Sequence, residues 1–183
     1  TWAGVRPLVA EEQEEGDGSE SSVSREHSIR TDTDGLITIA GGKLTTYRRM
    51  GEEVVEHALN RLKSMNSVPK SLIEPSTADE PLPGAMGWPA SEGIDAIIRQ
   101  IQQTAGQAIN DKTAQLLANT YGTKGIDVAK LVAEDVKLAQ PLVGARPEIL
   151  AQVEYAVTHE VAFTVRDVLI RRTQLFFRDK DQG

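Results

Sequence analysis

The chain has 183 residues, of which 39% are hydrophobic and 26% charged, so a folded core is permitted at a size between one and two ordinary domains. Its 20 basic against 27 acidic residues leave a net charge of −7, which excludes a general nucleic-acid binder, whose surface must displace counterions from phosphates. No apolar run approaches the ~18 residues of a membrane span. Zero cysteines exclude a disulfide framework, a thiolate zinc site and a cysteine nucleophile.

The chain opens on Thr1-Trp2-Ala3-Gly4-Val5-Arg6 with no initiator Met, basic segment or signal-like run, and reads as a piece of something longer. Residues 1–9 are apolar apart from Arg6 and suggest a short strand or the turn after one. Residues 11–22 hold no apolar side chain, so burial cannot offset their ordering entropy, and a solvated loop is expected. Next comes a hairpin pattern, Ser28-Ile29-Arg30 and Leu36-Ile37-Thr38-Ile39-Ala40 around Asp34-Gly35, since Asp-Gly tolerates the positive φ of tight turns. Asp32 and Asp34 do not make a calcium loop, because Arg30 and Gly41 stand at its anchor positions.

After Gly41-Gly42, the spacing of Tyr47, Met50, Val54, Ala58 and Leu62 predicts an amphipathic helix. Gly51 inside it suggests that another backbone packs closely there. Five prolines between residues 64 and 90 predict an extended, partly polyproline-like linker. The remainder is helical. Ser91 opens a helix with Ile94, Ile97, Ile98, Ile101 and Ala105. Asn110 caps one with Ala114, Leu117, Ala118 and Tyr121, closed by Gly122. A third carries Val128, Leu131, Val132 and Val136; a fourth starts near Pro147 with Ile149, Leu150, Val153, Ala156 and Val157. The capping box Thr164-x-x-Asp167 opens a fifth with Val165, Val168 and Leu169. The expected fold is therefore α+β and predominantly α: residues 1–63, a linker at 64–90, and a small helical domain at 91–183.

Ile37-Thr38-Ile39-Ala40-Gly41-Gly42-Lys43-Leu44-Thr45-Thr46-Tyr47 carries the clearest chemistry. Free amides at a helix start, glycines that admit a planar ligand and the Lys43 charge suit an anion or a polarised carbonyl, although the same pattern also serves as a plain connector. The spacing fits neither a Walker loop nor a complete G-x-G-x-x-G. Arg6, between apolar neighbours and Pro7, calls for a fixed acidic partner: a phosphate, whose oxygens match its planar fork, or a carboxylate of the same chain. His159-Glu160 begins like a zincin motif, but Phe163 stands where the second His belongs, so no metal site is expected. His27 and His57 read as structural.

Three segments together, Trp2 to Leu8, Ser24-Arg25-Glu26-His27 and Gly41 to Arg48, resemble the C-terminal third of the FAD-dependent, aerobic, quinone-linked glycerol-3-phosphate dehydrogenases. Tyr121-Gly122, Pro141-Leu142 and Asp167 to Thr173 are similar to landmarks of that family's helical C-terminal domain; residues 11–22 and Gln174 depart from its pattern. The resemblance implies that residues 1–63 end an FAD- and substrate-binding domain. It implies flavin contacts from Gly4, Val5, Gly41, Gly42, Lys43, Leu44, Thr45 and Thr46, a substrate-phosphate role for Arg6, and a catalytic and substrate-binding role for Lys43. It also implies oxidation of sn-glycerol 3-phosphate to dihydroxyacetone phosphate, electron delivery to quinone, and peripheral attachment to the inner face of the bacterial plasma membrane. No basic amphipathic helix argues for that attachment. A homodimer is the candidate assembly, and this stretch alone is expected to be inactive. An oxygen-using oxidase of the same fold stays open, as does a non-catalytic interaction module presenting Tyr121, Phe163, Phe176 and Phe177.

Overall fold

The computed structural model describes residues 26–68, 71–72 and 76–181. The chain divides between Glu80 and Pro81 into two compact units.

In the first unit, β1 (His27–Thr31) pairs antiparallel with β2 (Ile37–Gly41), with Ile29 opposite Ile39 and His27 opposite Gly41. The Asp-Gly signal becomes the expected turn. The Gly35 amide donates to Asp32 O at 2.9 Å, and Asp34 Oδ1 accepts from the Leu36 amide at 3.1 Å. Ile29, Ile37 and Ile39 alternate onto one half-buried face, as a period of two requires. A single 3₁₀ turn, Leu44–Thr46, leads into α1 (Tyr47–Ser64). Met50, Val54, Ala58 and Leu62 form its half-buried stripe, whereas Tyr47 is exposed. Gly51 differs from expectation: a methyl group there would meet no other atom within 4 Å, so no backbone packs against it among the described residues. Polar ties fix the start of α1. Arg48 pairs with Glu52 at 3.2 Å, Arg49 with Glu53 at 2.8 Å, and His27 Nε2 of β1 with Glu53 Oε2 at 2.6 Å.

The second unit holds α2 (Gly93–Ala105), α3 (Asp111–Tyr121), α4 (Gly125–Glu134), α5 (Leu150–His159) and α6 (Leu175–Arg178), with a π-helical turn at Asp167–Arg172. Its core contains Ile97, Ile101, Leu117, Val128, Val132 and Ile149. The expected apolar stripes supply this core, with three exceptions: Val136, Val157 and Val165 are exposed. Asn110 caps α3 as its sequence indicates, accepting from the Thr113 amide at 2.9 Å. The Thr164–Asp167 box also forms, with Thr164 N donating to Asp167 Oδ2 at 2.9 Å and Asp167 N to Thr164 Oγ1 at 3.2 Å.

Three local expectations change. The α2 cap is Glu92 rather than Ser91. Pro147 lies before α5, in a loop closed by a bridge between Pro141 and Ile149 and a bond from Leu142 N to Glu148 O at 2.8 Å. Residues 83–86, within the stretch expected to be extended, instead include a 3₁₀ turn (Pro83–Ala85) whose Gly84 abuts Gly122. A methyl group on Gly122, at φ +59, would come within 2.0 Å of Gly84 O, so the contact needs glycine at that position. Thr123 Oγ1 donates to Met86 O at 2.9 Å and locks the pair.

Candidate functional site

The strand-to-helix turn at residues 41–46 is the feature with ligand-binding geometry. Gly41 and Gly42 both adopt φ +79, which turns the chain sharply from β2 toward α1. A methyl group on Gly42 would sit 2.6 Å from Met50 Sδ and 3.2 Å from His27 Cβ, so the Met50 side chain would have to shift to admit it. Lys43 is extended and precedes the 3₁₀ turn. Thr46 staples it: the Thr46 amide and hydroxyl both donate to Lys43 O, at 3.0 and 2.9 Å, and Lys43 N reaches Thr46 Oγ1 at 3.4 Å. The amides of Leu44 and Thr45, first in the turn, have no intrahelical acceptor.

Charge is distributed unevenly around this turn. Arg48 and Arg49 are committed to Glu52 and Glu53, and Arg49 is thereby raised above its ordinary pKa. Glu53 is held below the ordinary carboxylate value chiefly by the hydrogen bond from His27, which burial opposes and to which Arg49 adds. Lys43 is exposed and has no acidic partner among the described residues, and Leu44 beside it is 85% exposed. Among the described residues the turn therefore presents two amides without an acceptor, an ammonium without an acidic partner and an exposed apolar side chain. Such a surface favours an acceptor-rich, partly apolar ligand.

The structure thus brings together Gly41, Gly42, Lys43, Leu44, Thr45 and Thr46. Gly4, Val5 and Arg6 lie outside the described residues. The three histidines behave as structural groups: His27 is paired with Glu53, His159 stacks on Tyr155 with centroids 4.5 Å apart, and His57 is exposed on α1. Sequence reasoning missed the Thr46 staple and the Met50 sulfur under Gly42. An i, i+3 Lys-to-Thr spacing at a helix start was the available signal for the first.

Among the described residues no helix is long and apolar enough to cross a membrane. The family model for the C-terminal domain of alpha-glycerophosphate oxidase matches residues 75–183. Over 181 residues the chain is 38% identical to the mitochondrial glycerol-3-phosphate dehydrogenase of Rattus norvegicus, covering 96% of this chain and 22% of that protein. It is 37% identical to a probable mitochondrial glycerol-3-phosphate dehydrogenase of Dictyostelium discoideum, over 100% of this chain and 27% of the relative. The glycerol-3-phosphate dehydrogenase of Synechocystis is 32% identical over 100% of this chain and 31% of its own length. The chain therefore spans less than a third of each of these relatives. With more than half of its length matched by the family model, the chain belongs to the family of the C-terminal domain of alpha-glycerophosphate oxidase.

Proposed function

We propose that this chain is the C-terminal part of an FAD-dependent enzyme that oxidises sn-glycerol 3-phosphate to dihydroxyacetone phosphate and passes the electrons to a quinone. The observation that carries the reading is similarity over 96–100% of the chain to proteins named glycerol-3-phosphate dehydrogenase. The turn suits a flavin edge on its own chemistry. Free amides at Leu44 and Thr45 meet carbonyl acceptors, Gly41 and Gly42 place no Cβ toward a flat ring, and Lys43 has no competing acid among the described residues. When bound, the flavin supplies the hydride acceptor. The amides and Lys43 stabilise negative charge that accumulates beside them, as donors in an oxyanion hole do. Arg6 grips the substrate phosphate through its fork. The proton-accepting base and the cradle for the FAD pyrophosphate are supplied from outside these 183 residues, so the chain alone is inactive and holds FAD weakly.

Kinetics of the complete enzyme test the assignment. Arg6→Ala removes charge-assisted hydrogen bonds worth roughly 1.5–3 kcal/mol each. The apparent affinity for glycerol 3-phosphate then falls from about tenfold to several hundredfold, while oxidation of free glycerol changes little. Lys43→Ala lowers turnover more than affinity, because its charge matters most as the transition state forms. Equal penalties on glycerol and glycerol 3-phosphate would reduce Arg6 to an ion-pair residue and remove the phosphate assignment. A second reading, transfer of electrons to oxygen, is favoured by the word oxidase in the matching family's description. Stoichiometric peroxide in place of quinone reduction would select it.

A further inference from the structure

Glu148 is 2% exposed, and its Oε2 has no hydrogen-bond partner among the described residues. Its Oε1 lies 3.7 Å from Arg178 Nη1, an ion pair too long for a hydrogen bond. Gln152 is buried just as deeply yet satisfied: its Oε1 accepts from the Ile149 amide at 3.0 Å, and its Nε2 donates to the Tyr121 hydroxyl at 3.3 Å. A carboxylate withdrawn from water with half its acceptor capacity unused is costly. No donor among the described residues reaches that oxygen.

Glu148 lines a cleft of about 210 Å³, together with Asn119, Thr120, Arg172, Gln174 and Arg178. The π-helical turn carries Arg172 to this cleft and ends at Thr173, whose hydroxyl donates to Val168 O at 2.8 Å. Gln174 follows in the left-handed region, and its Oε1 accepts from Arg178 Nη2 at 3.3 Å. Such turns recur at functional sites. The volume is below the ~300–1,000 Å³ of sites for drug-sized ligands, so the occupant is small.

Charge decides its class. Arg172 is paired with Glu160, whose backbone O it reaches at 2.7 Å and whose Oε2 lies 3.6 Å from Nε. Glu148, Arg172 and Arg178 line the cleft, and Glu160, which pairs with Arg172 without lining it, completes a set of two acids and two arginines that sums to zero. A dianion would leave Glu148 opposed by further negative charge, and a simple cation would leave Arg178, whose nearest carboxylate oxygen is 3.7 Å away, with no anion within hydrogen-bond reach. We propose that this cleft binds a small zwitterion, a free amino acid, with its ammonium on Glu148 and its carboxylate on Arg178 and Arg172. Asn119 and Thr120 favour a short polar side chain on it. All the lining groups belong to the second unit, so the proposal does not depend on the flavin reading.

Side-chain amides of Asn119 and Gln174 report the site directly by NMR on the full chain. L-serine is expected to shift both saturably. Acetate and methylammonium, each carrying one of the two charges, bind at least about tenfold more weakly, as do Glu148→Gln and Arg178→Gln, since a charge-assisted bond is roughly twice as strong as a neutral one. If a variant fails to fold, the comparison of serine with acetate and methylammonium on the unaltered chain decides. The proposal is overturned if serine gives no saturable shift, which leaves a cleft of ordered water. It is overturned equally if acetate or glycerol 3-phosphate binds as tightly as serine, or if both folded variants retain full affinity.

Discussion

The two units differ in what they bury. Every described residue that is fully buried lies between Ala96 and Thr173 or at Leu175, all in the second unit. In the first unit the hairpin face and the α1 stripe stop at half-burial. The difference teaches that amphipathic pattern and burial are separate facts. α1 carries an apolar stripe at helical spacing as α2 does, but the two-stranded sheet among the described residues offers too little apolar surface to close over it. Among the described residues nothing closes over this face, and this is the unit that carries the candidate flavin turn.

The largest expected effect separates the units by core truncation. Leu117→Ala removes a fully buried side chain from α3 and should cost about 2–5 kcal/mol, read as a lower midpoint for the helical unit in denaturant. Val54→Ala, from the half-buried stripe of α1, should cost about 1 kcal/mol or less. Equal costs would mean that the first unit holds a core of its own and would end the comparison. Amide exchange extends the test, since Ile29 and Ile39 should exchange far faster than Leu117.

Much of this was legible because the deciding signals are local. Asp34-Gly35, Asn110 and Thr164-x-x-Asp167 act within a few residues, and each does in the structure what its chemistry indicates. The site turn was legible for the same reason, since Gly-Gly-Lys between a strand and a helix start specifies its own backbone. What escaped depends on distant partners. The abutment of Gly84 and Gly122 joins segments nearly forty residues apart. Val136 and Val157 follow the apolar spacing yet find no partner to cover them. The π-helical turn has no pattern of its own, and Glu148 reads as an ordinary surface acid until burial strips one oxygen of partners.

Caps give the next effect. Asn110→Ala removes the acceptor for the Thr113 amide and should destabilise the helical unit by about 1 kcal/mol. Asn110→Asp should keep most of that stability, because a carboxylate accepts the same bond at the positive end of the α3 dipole. A loss equal to that of alanine would show that the side chain acts through packing instead.

In the first unit a substitution can also gain. Gly51 lies mid-helix with open space where a methyl group would stand. Gly51→Ala should therefore stabilise α1 by about 0.5–1 kcal/mol, through lower entropy of the unfolded chain and better helix propensity. Slower amide exchange along residues 47–64 would register it. Destabilisation would instead indicate that another surface approaches Gly51, and the unit would then be less open than its described residues make it.

The smallest effect is the response to acid, and it differs in consequence between the units. Glu53 and Asp167 both titrate below their ordinary values of 4.5 and 3.8, Glu53 chiefly through the hydrogen bond from His27 and Asp167 chiefly through the Thr164 hydroxyl. A carboxyl depressed by folding stabilises the folded state above its unfolded pKa, and that contribution is lost as pH falls through the folded value. Both carboxylates therefore support folding at neutral pH and cease to do so in acid. Asp167 anchors one turn of a unit whose core remains, whereas Glu53 joins β1 to α1 in a unit with no fully buried residue among those described. Acidification below about pH 4.5 should thus release protection at residues 27–41 before it reaches Leu117. Glu53→Gln should produce the same loosening already at neutral pH, and added salt should narrow the difference by screening exposed pairs. Loss of protection at Leu117 first, or together with the hairpin, would show that acid acts through the helical core and not through the His27–Glu53 tie.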